Sequence, residues 1–406
     1  MPSTFHHHTL PNGLTVVAEA NPSAHTAAVG FFVKTGARDE AAPLMGVSHF
    51  LEHMMFKGTA RRTADDVNRE FDEIGANYNA FTSHEQTVYY AHVLPEFLPR
   101  AIDLLGDILR PSLREDDFNM EKNVILEEIG MYDDRPTWRL QDELIERYFT
   151  GHPLGFRVLG TRQTVSDLNP TQMRGYFEQR YAADNVVVSA VGKFDFDVLV
   201  KDVEKIAGHW TPSGATRRYD APQIEDRSHT TTDPKVTRHY IGLLCPAPSA
   251  QDNDRYAAKV LADVLGDSDG SRIYWALVEP GLADEADFSF MPQDRLGCYL
   301  GYASCDPARA QQVEEILLKT IDSVIENLSD EEVERAKNKL ATSATLQGES
   351  PRGRMTSVGS TWSYLGKYLP LEDELARVMA VTADDLRRLV AANPFAPRTI
   401  LRLGPG

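Results

Sequence analysis

Segments from the first half of this 406-residue chain recur in its second half, and this repeat limits the possible folds more than any other pattern. Matching positions lie 212 to 215 residues apart, at Lys122 and Lys337, Met173 and Leu386, and Gly192 and Gly404. One such match could arise by chance, but three at nearly one offset indicate an internal duplication. We therefore predict two domains of the same fold, residues 1–213 and 214–406, joined near the turn-forming segment Thr211–Thr216.

The duplication extends to the order of the secondary structure elements. Strands around Ala76–Phe81 and Thr87–Val93 precede an amphipathic helix, and strands around Ala286–Phe290 and Gly297–Ser304 precede a second one. Strands in hairpin succession pair antiparallel, whereas strands that alternate with helices build parallel sheets. The sequence thus predicts the α+β class, with two duplicated α/β sandwich domains that each pack a largely antiparallel sheet against helices.

Composition and charge exclude several classes of partner. The formal net charge of −18 argues against nucleic acid or an anionic membrane surface, because phosphate binding needs clustered Lys and Arg. The N-terminus lacks the pattern of a secretory signal, and no run approaches the roughly 18 apolar residues of a membrane helix. Three cysteines, Cys245, Cys298 and Cys305, are too few for a disulfide framework. These observations favour a cytoplasmic protein.

A short apolar helix carries two histidines and a glutamate. The segment Val47–Phe56 contains His49, Glu52 and His53, and we expect Ser48 or a neighbour to open the helix. His49 and His53 are four residues apart, so both imidazoles project from one face and can share a cation. Glu52 lies close enough to act on a further group bound to the same ion. Because unsatisfied buried polar groups are costly, the pattern predicts a metal site.

A catalytic zinc needs a third protein ligand and an open position for water. The acidic helix after Pro111 offers Glu121, Glu127 and Glu128. Glu121 and Glu128 are seven residues apart and share a helical face, so we predict Glu128 as the third ligand and Glu121 as the carboxylate that orients the site. When the two halves are aligned at Lys122 and Lys337, Ala336 and Ser343 occupy the positions that match Glu121 and Glu128. This loss of the carboxylates in the second copy is expected if those of the first copy serve chemistry.

The His-x-x-Glu-His order marks the inverzincins, and the chain resembles the pitrilysin-like or insulinase-like zinc metallopeptidases. Within that family it is most similar to the short bacterial branch that is related to mitochondrial processing peptidase. The segments that carry the resemblance are His49–Met54, Phe56–Gly58, Asn79–Ser83, Glu121–Glu128, Asp134–Pro136 and His152–Gly155, with Gly160, Tyr181, Asn185 and Gly192. The resemblance as a whole covers almost the entire chain.

The resemblance implies one Zn²⁺ per chain, with the last ligand at the position of Glu128 and Glu52 as general base. It also implies that Asn79, Ala80 and Phe81 form an edge strand that pairs with the substrate backbone. The alternative for that segment is an ordinary hairpin strand. The resemblance further implies that two such chains, or one chain of double length, close like a clamshell around unfolded peptides.

One departure from the family pattern concerns the second half of the chain. Active members carry an arginine and a tyrosine there that hold the substrate, and this chain has Val278 and Asp284 at the matching positions. Arg272 and Tyr274 are weak substitutes, because both belong to a packing helix. We therefore expect the zinc-bearing subunit of a heterodimer, whose homologous partner supplies the pair. The alternative is an active homodimer.

The function predicted from the sequence is a zinc-dependent endopeptidase that cleaves unfolded peptides. A non-catalytic subunit that binds peptides or has a structural role is the main alternative, although His49, Glu52, His53 and Glu128 are all intact. A zinc-dependent hydrolase of small molecules is a third possibility.

Overall fold

The structure is a computed structural model that describes residues 3–267, 269–393 and 395–405. Its strands are β1 (Thr4–Thr9), β2 (Thr15–Ala20), β3 (Ala27–Val33), β4 (Asn77–Thr82), β5 (Thr87–Val93), β6 (Val186–Gly192), β7 (Arg227–Thr232), β8 (His239–Pro246), β9 (Ala283–Gln293), β10 (Leu296–Cys305) and β11 (Thr399–Gly404). The predicted strand pairs at 76–93 and 286–304 correspond to β4–β5 and β9–β10.

The helices are α1 (Val47–Met55), α2 (Ala64–Glu73), α3 (Leu98–Ile108), α4 (Glu115–Asp133), α5 (Pro136–Tyr148), α6 (Arg162–Asp167), α7 (Pro170–Arg180), α8 (Phe196–Ala207), α9 (Arg255–Gly266), α10 (Ala310–Asp322), α11 (Asp330–Glu349), α12 (Pro351–Leu365), α13 (Leu371–Met379) and α14 (Ala383–Ala392). A π-helical turn at Tyr274–Val278 follows α9. Over the described ranges, none of these helices combines the length and the apolar character needed to cross a membrane.

The chain divides into two compact units, each built from several stretches of sequence. Unit 1 contains Met1–Gly130, Phe156–Arg218 and Leu346–Leu369. Its six-stranded sheet has the order β1-β2-β6-β3-β5-β4, in which only β2 and β6 pair parallel. One face of this sheet packs against α1, α3 and neighbouring helices, and the opposite face packs against α12.

Unit 2 contains Met131–Gly155, Tyr219–Thr345 and Pro370–Gly406. Its five-stranded sheet has the order β7-β11-β8-β10-β9, and the single parallel pair is β7 with β11. Helices α9 and α10 cover one face of the sheet, while α5 covers the other. Leu140 and Leu144 of α5 approach Gly242 of β8, where a side chain would clash with them.

The α+β class and the two largely antiparallel, helix-covered sheets are confirmed. The units differ from the contiguous ranges 1–213 and 214–406, since the stretch 131–155 belongs to unit 2 and the stretch 346–369 to unit 1. Duplication with a boundary near residue 213 stays a prediction.

Candidate metal centre

Helix α1 begins after Gly46, whose φ of +95° favours glycine. The first backbone N–H groups of a helix need acceptors from outside the helix. Here the N–H groups of Gly46 and Ser48 donate to the two carboxylate oxygens of Glu40, at 2.7 and 2.8 Å. Ser48 lies inside the helix and does not cap it, since its hydroxyl is bonded to the hydroxyl of Tyr176 at 2.8 Å. Glu40 was not predicted from the sequence, because nothing in its local pattern indicates that it contacts a helix elsewhere in the chain.

The structure brings His49, His53 and Glu128 together. One ligand atom from each lies within 4.8 Å of the others. Glu128 Oε2 is 3.8 Å from His49 Nε2 and 3.6 Å from His53 Nε2, and the two ring centroids are 4.7 Å apart. These separations are too long for hydrogen bonds. They are close to the roughly 3.4 Å between two ligands that each lie about 2.1 Å from a tetrahedral zinc ion.

Glu121 contacts the ring of His53 on the side away from Glu128. Its Oε1 is 2.7 Å from His53 Nδ1, and its Oε2 is 2.6 Å from the Lys57 ammonium group. The contact occupies Nδ1 and leaves Nε2 of His53 directed toward Glu128. A carboxylate on the far nitrogen is the arrangement that fixes the tautomer of a metal-bound histidine. Lys57 belongs to the Phe56–Gly58 segment of the family resemblance, but its contact with Glu121 was not predicted.

The electrostatic environments of His49 and Glu121 suit a nearby cation. Burial, reinforced by the nearby His53, lowers the pKa of His49 to about 3, so this imidazole is neutral and able to donate a lone pair. Burial opposes ionisation of Glu121, but the hydrogen bonds from His53 and Lys57 outweigh it and hold the pKa of this carboxyl below its usual value. Burial likewise opposes the charge on His53, yet the hydrogen bond with Glu121 raises its pKa. The donor set of two imidazoles and a carboxylate therefore fits Zn²⁺.

Glu52 lies on the same helix but is not one of the three grouped residues. Its Oε2 accepts a hydrogen bond of 2.5 Å from the hydroxyl of Thr82, the last residue of β4. Burial raises the pKa of Glu52, while the bond from Thr82 and the charge of His53 act against this rise. Thr82 lies within the segment Asn79–Ser83 that carries the family resemblance, but no role for it was predicted from the sequence.

Asn79, Ala80 and Phe81 lie on β4, which is the edge strand of the first sheet. Asn79 and Phe81 are exposed, and Ala80 is half-buried on the opposite face. The N–H of Ala80 donates to the side-chain oxygen of Asn79 at 2.9 Å. This N–H therefore points away from β5, toward the unpaired edge.

In the second unit, the segment that departs from the family pattern makes structural contacts. Val278 ends the π-helical turn, and Asp284, in β9, is paired with Arg238. Arg272 binds Glu332 of α11, with N–O distances of 2.7 and 3.0 Å.

Comparison with known proteins identifies the family. Residues 15–162 match the insulinase domain of peptidase family M16, and residues 167–340 match the domain described as the peptidase M16 inactive domain. A protein described as an uncharacterized zinc protease of Mycobacterium tuberculosis is 34% identical over 388 residues, which cover 93% of this chain and 88% of the relative. The chain belongs to the M16 (insulinase) peptidase family. Its resemblance to the pitrilysin-like metallopeptidases is thereby confirmed.

Other M16 comparisons agree in both sequence and fold. The uncharacterized zinc protease YmxG of Bacillus subtilis is 32% identical over 385 residues, which cover 94% of each chain. A solved structure of a protease from Helicobacter pylori covers 100% of both chains with a TM-score of 0.92 at 19% identity. An M16 inactive domain from Pseudomonas fluorescens has a TM-score of 0.91 at 18% identity and covers 99% of this chain and 98% of its own. At these identities the structural matches concern the fold.

Proposed function

We propose that this M16 protein is a zinc-dependent endopeptidase that cleaves unfolded peptides. The observation that carries the proposal is the close grouping of His49, His53 and Glu128 beside a Glu52 carboxylate that is not part of the group. Names of relatives as zinc proteases support it. The proposed site has one zinc ion per chain, with these three residues as ligands and Glu121 as the residue that orients His53.

When bound, zinc supplies Lewis-acid chemistry that acidifies a water molecule and polarises the scissile carbonyl. The chain's own residues supply the remaining functions. Glu52 takes the proton of the attacking water as general base and passes it to the leaving amine. Its carboxylate must lie beside the metal without ligating it. This is possible because Glu52 follows His49 and precedes His53 on α1 but is not one of the three grouped residues.

The edge strand β4 provides a means of holding a peptide without reading its sequence. The outward N–H of Ala80 can exchange its hydrogen bond with the Asn79 side chain for one with the backbone of an extended peptide, because β4 lies at the edge of the sheet. Asn79 and Phe81 contact side chains of the peptide in this proposal. Backbone pairing suits unfolded substrates, since a folded chain has no free strand to add.

We further propose that the chain works with a homologous subunit as a heterodimer. Val278 and Asp284 replace the arginine and tyrosine expected from the family pattern, and Asp284 is engaged by Arg238. The alternatives are a homodimer that uses other residues, and a non-catalytic peptide-binding or structural subunit. The match of residues 167–340 to a domain described as inactive is the observation that supports the non-catalytic alternative. We place the protein in the cytoplasm, which fractionation of the source cells would test.

The first experiment uses the purified, zinc-loaded chain with a mixed pool of unfolded peptides. Zinc is quantified by mass spectrometry, and peptide cleavage is followed by the same method. The matched control is Glu52→Gln, which keeps the size of the side chain but removes the base. We expect about one zinc per chain in both proteins, with cleavage by the wild type alone.

Each outcome separates the candidate functions. Equal cleavage by the wild type and Glu52→Gln contradicts hydrolysis at this site. Zinc binding without cleavage contradicts a self-sufficient enzyme, and activity restored by a co-purified homologous subunit would support the heterodimer. Peptide binding without cleavage in any combination of subunits would favour the non-catalytic role. Hydrolysis of small esters or amides but of no peptide would point to a small-molecule hydrolase.

A further inference from the structure

The contact between Thr82 and Glu52 links the strand that is proposed to bind substrate to the proposed general base. Thr82 Oγ1 donates to Glu52 Oε2 at 2.5 Å. Within the part of the chain that the structure describes, no other side chain hydrogen-bonds this carboxylate. Glu52 Oε1 therefore remains available for another partner.

The position of the Thr82 hydroxyl is set by the hydrogen-bonded hairpin between β4 and β5. Thr82 is paired with Thr87 across β4 and β5, and its side chain is half-buried on the face opposite the exposed Phe81. Between the two threonines lies a tight turn, in which Ser83 N–H donates to the carbonyl of Gln86 at 2.8 Å. Thr87 is itself bonded to the carbonyl of Thr35 at 3.0 Å. A β-branched residue in such a hairpin has few rotamers.

Glu52 needs such support because a glutamate has three rotatable side-chain bonds. A general base acts only when its oxygen is within about 2.6–3.2 Å of the proton that it removes. Fixing Oε2 by one short hydrogen bond restricts where Oε1 can lie. The Thr82 proton stays on its own oxygen throughout, so the bond orients the base without taking part in proton transfer.

We propose that Thr82 is a positioning residue for the general base Glu52, and that it connects the geometry of the base to edge strand β4. This inference rests on the proposed peptidase function. It differs from a purely structural role in one respect. Loss of the hydroxyl is expected to affect the chemical step, because the hydrogen bond that Thr82 donates goes to the base and, among the residues that the structure describes, not to His49, His53 or Glu128.

The test compares Thr82→Val with Thr82→Ser in the full-length, zinc-loaded protein. Valine keeps the shape and the β-branching but lacks the hydroxyl, whereas serine keeps the hydroxyl. The substrate is a peptide that the wild type cleaves. We expect kcat of Thr82→Val to fall about 10- to 100-fold, as for a misplaced reacting group. KM should stay within about twofold, zinc content and unfolding midpoint should be unchanged, and Thr82→Ser should recover most of kcat.

Several results would overturn the inference. Wild-type kcat in Thr82→Val would show that the bond does not position the base, and an equal loss in Thr82→Ser would assign the effect to packing. A rise in KM with unchanged kcat would place Thr82 in substrate binding. A structural role would be indicated if Thr82→Val lost zinc or failed to fold while Thr82→Ser had normal kinetics per folded molecule. If the wild type cleaves nothing with or without a partner subunit, the proposed function fails first and this inference fails with it.

Discussion

Individual contacts around His53 have consequences for metal affinity. Glu121 accepts from His53 and is itself paired with Lys57, so its carboxylate is held from two sides. Carboxylates in this position raise the basicity of the histidine and fix its ring. The chain offers a matched comparison on the same helix, because Glu127 is exposed and is not part of the group formed by His49, His53 and Glu128.

We predict that Glu121→Gln raises the zinc dissociation constant about 10- to 100-fold, because His53 loses its charged partner. Glu127→Gln should leave the constant unchanged. The measurement is competition with a coloured zinc chelator at pH 7.5. Equal constants in the two variants would show that Glu121 has no part in metal binding.

A second prediction at the residue scale concerns pH. Burial raises the pKa of Glu40 to about 8, although its hydrogen bonds with Ser48 and Gly46 oppose the rise. Between roughly pH 4.5 and 8 the folded chain keeps a proton that the unfolded chain has lost. The contribution of Glu40 to the free energy of unfolding therefore falls as pH rises through this window, by an amount on the order of a few kcal/mol, and levels off above it.

Glu40→Gln, which cannot ionise, should remove this slope. We expect the unfolding midpoint of the variant to rise relative to that of the wild type between pH 5.5 and 8.5, as followed by circular dichroism in the metal-free protein. A constant difference between the two proteins at all pH values would mean that Glu40 is ionised throughout, as its two N–H partners favour.

At the scale of elements, the start of α1 is packed against another loop. Gly160 has a φ of +76°, and a side chain there would lie 2.4 Å from the carbonyl oxygen of Met45. The hydroxyl of Thr164 donates to the same carbonyl at 2.8 Å. Gly151 has the same φ but nothing within 4 Å of an added side chain. The two glycines thus have the same φ but differ in the contacts that an added side chain would make.

We predict that Gly151→Ala costs about 1 kcal/mol of stability, from the unfavourable φ alone. Gly160→Ala should cost clearly more and should also weaken zinc binding, because the Met45 backbone and with it α1 must move. Unfolding midpoints and zinc dissociation constants of the two variants provide the measurement. The packing explanation fails if both variants behave alike.

At the scale of the whole molecule, unit 1 depends on a helix from late in the sequence. Met355 and Val358 of α12 cover the face of the first sheet that contains Phe32 and Val88. Arg354 of the same helix forms a buried ion pair with Glu19, at 2.8 Å. Residues 1–213 alone lack this cover and would expose an apolar sheet face.

We therefore expect the isolated fragment 1–213 to bind a hydrophobic dye and to unfold at lower temperature than the full chain. Addition of a peptide with the sequence of residues 346–369 should reduce dye binding and raise the midpoint. A scrambled peptide of the same composition is the control. If the fragment binds no dye and the peptide does not change its unfolding midpoint, unit 1 does not need α12.

Local patterns of the sequence were sufficient to predict much of the fold and to choose the candidate site residues. The spacing of His49 and His53 and the seven-residue interval between Glu121 and Glu128 identify residues on a shared helical face, because helical periodicity is a property of neighbouring residues. Alternating segments likewise predicted the hairpins β4–β5 and β9–β10.

Only the tertiary structure decided which distant groups meet. Glu40 at the start of α1, Thr82 against Glu52 and Lys57 against Glu121 are contacts between elements, and no local pattern names the partner. The placement of α5 and α12 follows the same rule. An amphipathic helix encodes that it must bury one face, but which sheet receives that face depends on the packing of the whole chain.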